Sequence, residues 1–187
     1  MQPRQAPSPR RVLLRPAMRA DAAQIKIWRN EPSVRRFQPL GEVSVGQIRA
    51  ELVNQSLQDL HTGRGDKFQW IVLDGEESVG WITLVVNNWD HGLGEIGYSL
   101  TTSHQGRGLM PQALPLLLDE IFLNTSLQRV EARCAVGNDA SARVLEAVGF
   151  RREGLLREYF VLHGERVDNY LYAILRRDYL PSGPERP

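Results

Sequence analysis

Apolar residues recur along the chain with two different periods, and these periods predict its helices and strands. Helical spacing of apolar residues after a polar or turn residue predicts four helices. These helices begin near Asp21, Ser44, Met110 and Asn138. Short apolar runs bounded by Gly, Pro, Asn and Asp predict strands. Seven strands follow, at residues 12–16, 67–73, 79–86, 95–100, 129–136, 151–162 and 165–175.

The order of these elements is β-α-α-β-β-β-α-β-α-β-β, which decides the fold class. Strands and helices do not alternate throughout, so the order argues against a doubly wound sheet. It predicts a mixed α/β fold, with a twisted sheet of about seven strands flanked by about four helices. The β-α-β unit at residues 95–136 predicts a right-handed parallel crossover inside that sheet. Antiparallel hairpins are expected on both sides of it.

Length and composition favour one folded domain. The chain has 187 residues, 42% of them hydrophobic, and a net charge of +1. We expect a single domain over residues 11–180, with a disordered tail at 1–10 and a frayed end at 181–187. The balanced charge gives no reason to expect nucleic-acid binding. A monomer or a homodimer is expected.

The single cysteine and the absence of long apolar runs further limit the class of protein. Cys134 alone cannot form an intrachain disulfide or a multi-cysteine metal site, so no metal is expected. No apolar run approaches the ~18 residues of a membrane-spanning helix. These features predict a cytoplasmic protein without a membrane segment.

A glycine-containing turn at residues 103–110 carries the clearest chemical signal. It lies between the strand at 95–100 and the helix that begins at Met110. The first N–H groups of a helix have no helical partner, and the helix dipole is positive there. Glycines without a Cβ let a ligand approach this backbone closely. The turn therefore predicts a site for a phosphate or pyrophosphate.

The residues of this turn carry a family resemblance. Gln105-Gly106-Arg107-Gly108-Leu109-Met110 resembles the Q/R-x-x-G-x-G/A motif of the GNAT acetyltransferase superfamily, with Met110 as in its RimJ/RimL type of protein N-acetyltransferase. Further similar blocks span about residues 11–180: Leu14-Arg15-Pro16, Trp28 to Pro32, Glu95 to Tyr98, Asn138 to Ser141, Val148-Gly149-Phe150 and Glu153 to Arg157. The resemblance implies a GNAT fold with strands 4 and 5 splayed, acetyl-CoA as the donor and a primary amine as the acceptor.

The resemblance also implies which residues hold the cofactor. Backbone N–H groups from Arg107 to Met110 would bind the pyrophosphate, and the Arg107 side chain would add positive charge. Main-chain groups near the end of the fourth strand would pair with the pantetheine arm. Asn138 would orient that arm or a water, although helix capping alone explains it equally well. The full expected set is Tyr98, Leu100, Thr102, Gln105, Gly106, Arg107, Gly108, Leu109, Met110, Asn138 and Ser141.

Two residues are expected to be catalytic. Glu95 stands where several GNAT enzymes carry the base that takes a proton from the amine; the alternative is a strand glutamate with a structural partner. Ser141 would donate a hydrogen bond to the leaving thiolate, as in RimJ/RimL-like enzymes; the alternative is a first-turn serine that helps to cap its helix. Leu145 stands where many GNAT enzymes carry a tyrosine for that task.

Three residues are expected to contact the acceptor: Trp28, Trp89 and Glu158. Trp89 lies in a polar loop and is the least core-like of the aromatic residues. Glu158 would share a strand face with Phe160, which stands where the RimL-like pattern has a glutamate. The alternative for Glu158 is an ion pair with an arginine.

The resulting hypothesis is an N-acetyltransferase that acts on a protein N-terminal α-amine, such as that of a ribosomal protein. One alternative is a small-molecule enzyme for a polyamine, an amino sugar or an antibiotic. The other is a non-catalytic module that binds acyl-CoA.

Overall fold

A computed structural model describes residues 12–53 and 55–180 of the chain. The predicted tail at 1–10 and the predicted frayed end at 181–187 lie outside the described residues. Within the described ranges, no helix is long and apolar enough to cross a membrane.

A seven-stranded mixed sheet forms the centre of the fold, as predicted. Its strands are β1 (Val12–Pro16), β2 (Lys67–Asp74), β3 (Glu77–Asn88), β4 (Leu93–Leu100), β5 (Arg129–Ala135), β6 (Arg151–Leu162) and β7 (Glu165–Leu175). Their order across the sheet is β1-β2-β3-β4-β5-β7-β6. Only the β4–β5 pair is parallel, which confirms the predicted crossover, and the other pairs are antiparallel.

The four predicted helices are present, and three short helices join them in the described part of the chain. The helices are α1 (Ala22–Arg29), α2 (Pro32–Arg35), α3 (Val45–Val53), α4 (Leu57–His61), α5 (Leu109–Asn124), α6 (Asp139–Val148) and α7 (Arg176–Tyr179). Pro32 begins α2, because proline fits the first helical turn. Ser56 caps α4, where its Oγ accepts a bond from the N–H of Asp59.

Two hydrophobic cores lie on opposite faces of the sheet, because successive strand residues point to opposite sides. On one face, α5 and α6 cover a large core that includes Ile82 of β3 and Ile96 of β4. On the other face, α1 and α3 cover a smaller core around Ile71 and Trp81. Helices therefore cover both faces of the sheet and bury its central strands.

The β4–β5 pair opens partway along its length. Pairing begins at Leu93 with Arg129 and ends at Ile96 with Ala132. Both strands continue beyond that point, β4 to Leu100 and β5 to Ala135. The predicted splay is therefore present, and it leaves one backbone edge of β4 without a neighbouring strand.

Glu31, at the start of α2, joins the helical face to the end of β4. Its carboxylate accepts bonds of 2.6 Å from Thr101 Oγ1, from Thr102 Oγ1 and from the Thr102 N–H. Ser33 and Gln105 extend this network, since Ser33 Oγ is 2.6 Å from Thr102 Oγ1 and Gln105 Nε2 donates to Ser33 Oγ. The network fixes α2 against the residues that lead into α5.

We predict that Glu31→Gln destabilises the fold in a pH-dependent way. Burial would raise the pKa of Glu31, but the bonds from Thr101 and Thr102 outweigh it and hold the pKa below its usual value. The stabilisation is therefore present above the unfolded pKa near 4.5 and is lost as the pH falls through the lower folded pKa. Urea unfolding at pH 7 should show a loss of about 1–2 kcal/mol, because an amide cannot accept all three bonds.

The difference between Glu31→Gln and the wild type should shrink in the most acidic buffers. Glu42→Gln is the control, because Glu42 is an exposed acid that pairs with Lys26 and Arg35 at the surface. It should cause no measurable change. An equal loss for Glu31→Gln at every pH would contradict the role of the carboxylate charge.

Candidate active site

A cavity of about 840 Å³ occupies the opening between β4 and β5. Its walls come from both strands, from the turn before α5, from the first turns of α6, from α2 and the segment 36–40, and from β6. The residues that were expected at the site and line this cavity are Glu95, Tyr98, Leu100, Gln105, Gly106, Gly108, Leu109, Met110, Asn138 and Ser141. The fold thus brings ten of the expected residues to one place.

The glycine turn has the backbone conformation that an anion site requires. Gly106 has a φ of 73° and Gly108 a φ of 71°, a left-handed conformation in which glycine costs least. A Cβ added at either residue would meet open space. Gly108 is also the N-cap of α5, so the N–H groups of Leu109 and Met110 begin the helix beside that space. A phosphate group fits this arrangement.

The open edge of β4 carries two carbonyl groups that hold side-chain amides. Gln38 Nε2 donates to the Tyr98 oxygen at 2.8 Å, and Gln105 Nε2 donates to the Leu100 oxygen at 2.9 Å. Amide donors therefore already fit this edge, which supports its expected pairing with the amides of a pantetheine arm. Thr102 was also expected among the cofactor-binding residues, but its N–H and its hydroxyl already donate hydrogen bonds to Glu31.

Ser141 lies at the third position of α6, where the cap predicted at Asn138 is present. Asn138 Oδ1 accepts from the Ser141 N–H at 3.3 Å. The Ser141 hydroxyl is 2.8 Å from the hydroxyl of Tyr98, a contact that the sequence did not predict. Burial, opposed by the hydrogen bond with Ser141, raises the pKa of Tyr98 far above its usual value. Both hydroxyl groups are therefore neutral hydrogen-bonding groups.

Glu95 forms an ion pair with Arg133 of β5, on the cavity wall. The Arg133 guanidinium also lies 5.1 Å from the ring centre of Tyr159 and 3.8 Å from the Glu131 carboxylate. An ionised carboxylate is a group that can accept a proton. The structure is thus compatible with both interpretations of Glu95. Its ion pair with Arg133 fits a structural role, and its place in the cavity wall fits a catalytic base.

Three further expected residues lie away from the cavity. The Arg107 side chain is exposed and is not among the residues that line the cavity. Trp28 is buried in the smaller core, where its ring stacks on Trp81 at 6.2 Å. Trp89 donates its indole N–H to the Gly65 oxygen at 2.7 Å and packs against the larger core. Core packing therefore accounts for Trp28, Trp89 is half-buried, and neither of them lines the cavity.

The prediction that Glu158 shares a face with Phe160 assumed a regular strand, which β6 is not at this point, and Glu158 does not line the cavity. A β-bulge interrupts β6 between Leu156 and Phe160, and Glu158 has a φ of 49°. The bulge breaks the alternation on which the prediction relied. The carboxylate of Glu158 instead lies 3.8 Å from Nε of Arg166, which is the alternative of an arginine partner.

The bulge explains how two neighbouring residues of β6 both line the cavity. It directs Tyr159 and Phe160 into the cavity wall, opposite α2 and the segment 36–40. Arg36 and Gln38 of that segment also line the cavity. A regular strand would place only one of the neighbours Tyr159 and Phe160 on the cavity side, because successive residues of a regular strand point to opposite faces.

The described residues hold no group of three or more His, Cys, Asp or Glu side chains that could bind a metal ion. The site that they do form is a cleft with backbone donors, hydroxyl groups and one paired carboxylate. These are groups that can bind a phosphorylated thioester and move a proton.

Comparison with known proteins agrees with this geometry. The family model described as the acetyltransferase (GNAT) domain matches residues 11–151. The chain belongs to the GNAT acetyltransferase family. It is an acetyl-CoA-dependent N-acetyltransferase. The family predicted from the glycine turn and its flanking blocks is therefore confirmed.

Three similar proteins illustrate the likeness. The uncharacterized N-acetyltransferase p20 of Bacillus licheniformis is 30% identical over 90% of this chain and 95% of its own. The crystal structure of the ribosomal-protein-S5-alanine acetyltransferase from Vibrio fischeri has a TM-score of 0.78 at 26% identity, covering 91% and 96% of the two chains. The spermidine N-acetyltransferase from Vibrio cholerae, in complex with CoA and spermine, has a TM-score of 0.77 at 25% identity, covering 91% and 98%. Likeness to the ribosomal-protein type is thus confirmed.

We predict that Gly108→Ala weakens acetyl-CoA binding by more than its backbone strain explains. Gly75, in the β2–β3 turn, is the matched control, because its φ is 66° and its added Cβ would also meet open space. Each substitution should cost about 1 kcal/mol of stability. Only Gly108→Ala should raise the KM for acetyl-CoA, about tenfold. A similar KM for both variants in a thiol-release assay would contradict a pyrophosphate site at this turn.

Proposed function

We propose that this enzyme acetylates the N-terminal α-amine of a protein, as its ribosomal-protein acetyltransferase relatives do. The charge of the cavity wall carries this proposal. Its charged side chains are Arg36, Glu95, Arg133 and Arg143, three cations and one anion. The single carboxylate already pairs with Arg133. A polyamine with several positive charges would find no unpaired carboxylate among the described lining residues and would be repelled by the arginines.

The acid-base chemistry of the acceptor favours the same conclusion. An α-amine has a pKa of about 7.7–8.0, so about a third of it is neutral near pH 7.5. A lysine-like amine has a pKa near 10.4, so only about one molecule in a thousand is neutral there. Glu95 is the one carboxylate among the described lining residues, and it is already paired with Arg133. Such a base suffices for an α-amine and serves an alkyl amine poorly.

The proposed mechanism is direct attack of the amine on the thioester carbonyl. Glu95 takes the proton of the amine, directly or through one water. Main-chain donors at the open edge of β4 hold the carbonyl oxygen as negative charge develops there. Ser141 donates a hydrogen bond to the departing sulfur, whose thiol has a pKa near 8.5 by analogy with cysteine. Acetyl-CoA supplies the activated acetyl group, and no covalent enzyme intermediate is needed.

The shape of the cavity supports a peptide acceptor. It extends from the glycine turn, past the β4–β5 opening, to the segment 36–40 and the aromatic pair Tyr159 and Phe160. The cofactor and the acceptor can therefore enter from different sides and meet between the strands. Aromatic rings on the acceptor side would pack against the first side chains of a peptide.

We predict that short peptides with a free N-terminus are acetylated and that spermidine is not. The experiment follows thiol release and product mass with acetyl-CoA and three acceptors. The first is a peptide with a free N-terminus. The second is the same peptide with a formylated N-terminus and an internal lysine, and the third is spermidine. Only the first should react well, with kcat/KM at least about a hundredfold above that for spermidine. Faster turnover of spermidine would favour the small-amine alternative. Binding of CoA without release for any amine would favour a non-catalytic module.

We also predict that Glu95→Gln lowers kcat by about a hundredfold, the lower end for loss of a general base. Glu131→Gln is the matched control, because Glu131 also lies beside Arg133 but does not line the cavity. The wild-type rate should rise with pH to a plateau above the pKa of the α-amine. Equal rates for Glu95→Gln and the wild type would show that water, not Glu95, takes the proton.

A further inference from the structure

A hydrogen bond between Tyr98 and Ser141 connects β4 to the first turn of α6. Tyr98 Oη is 2.8 Å from Ser141 Oγ and 3.3 Å from the main-chain oxygen of Ser141. Asn138 Oδ1 accepts from the Ser141 N–H. The polar atoms of Ser141 therefore contact the side chains of Tyr98 and Asn138 at the cavity wall, and its side chain also bonds to the Cys134 thiol. Leu145, one turn further along α6, is fully buried and offers no second hydroxyl.

The direction of the hydrogens decides what Ser141 can do. A hydroxyl group donates one hydrogen and can accept two. When Tyr98 donates to Ser141 Oγ, the serine hydrogen is available to a ligand in the cavity. When Tyr98 donates instead to the main-chain oxygen of Ser141, the serine hydroxyl donates to Tyr98 Oη, and its hydrogen is not available to a ligand. A negatively charged sulfur beside Ser141 would attract the serine hydrogen and would select the first arrangement.

We propose that Tyr98 is a positioning residue that donates to Ser141 Oγ and so directs the serine hydroxyl to the leaving thiolate. The proposal rests on the acetyl transfer described above, but not on the identity of the amine. As the C–S bond breaks, its electron pair passes to sulfur, and the amine nitrogen bonds to the acetyl carbon. The proton of the amine goes to Glu95 or water. The two hydroxyl groups keep their protons, and the thiolate is later protonated by solvent.

The surroundings of the pair suit a fixed donor. Tyr98 follows Ile96 on the side of β4 that faces the larger core, so its ring is held by packing. Burial raises the pKa of Tyr98, which therefore stays protonated and remains a donor at neutral pH. Burial also raises the pKa of the Cys134 thiol, so this neighbour brings no negative charge. In such surroundings, each bond of the chain Tyr98–Ser141–sulfur polarises the next.

The test compares Tyr98→Phe, Ser141→Ala and the double variant with the wild type. Tyr172→Phe is the matched control, because it removes another buried hydroxyl that bonds to α6, at Glu146 Oε1, away from the cavity. Two kinds of quantity are measured. The first is the pair of kinetic constants, kcat and KM for acetyl-CoA. The second is the pKa of the thiol of bound CoA, followed by thiolate absorbance against enzyme without CoA. The second measurement needs no acceptor amine, so it stays informative whichever amine is the substrate.

Tyr98→Phe should lower kcat about tenfold and leave the KM for acetyl-CoA within about twofold. The thiol pKa of bound CoA should rise by about one pH unit in Tyr98→Phe and at least as much in Ser141→Ala. The double variant should match Ser141→Ala, because Tyr98 acts through Ser141. Tyr172→Phe should resemble the wild type in both quantities.

Two results would overturn the proposal. The first is a double variant whose loss in kcat is the product of the two single losses, because Tyr98 would then act independently of Ser141. The second is a bound thiol whose pKa is unchanged in Ser141→Ala, a result that does not depend on how well Tyr98→Phe folds. Thermal unfolding of Tyr98→Phe alongside Tyr172→Phe separates a loss of stability from a loss of positioning.

Discussion

The end of the β4–β5 pairing at Ile96 and Ala132 is the constraint on which the site depends. Two parallel strands that stayed paired would satisfy each other's backbone groups and leave no room between them. Because they separate, β4 presents backbone groups at an open edge, and a cavity forms beside the start of α5. The residues expected to bind the donor, to act in catalysis and to contact the acceptor border this one opening when they line the cavity.

An open edge inside a sheet must be held open by the rest of the fold. Here each side of the opening is tied to a different helical layer. Glu31 and Gln38 tie the α2 region to the end of β4, while Tyr98 ties β4 to α6 on the opposite face. These contacts are polar, directional and short, so they fix geometry more than they add hydrophobic stability. The same bonds that maintain the opening also place the groups expected to do the chemistry.

The two parts of the cavity, the glycine turn and the expected acceptor side, differ in charge, and we expect them to bind different reactants. The glycine turn offers neutral backbone donors and a helix dipole, which suit a pyrophosphate whatever the acceptor is. The acceptor side offers arginines and one paired glutamate, and these bear on which amine can lose its proton there. Similar folds with different wall charges can therefore use the same donor and different amines, which agrees with the likeness to both ribosomal-protein and spermidine acetyltransferases.

The sequence by itself determined the family, the mixed sheet, the crossover and the glycine turn, because local spacing and turn chemistry specify these features. It also indicated Glu95, Ser141 and the cap at Asn138, since each lies in a motif or at a helix start. Only the tertiary structure decided which side chains meet across elements. It buried Trp28, packed Trp89 against the larger core, placed a bulge around Glu158, paired Glu95 with Arg133 and brought Tyr98 to Ser141. Such contacts join residues far apart in the chain, and one irregular strand residue changes every face that follows it, so periodicity alone cannot predict them.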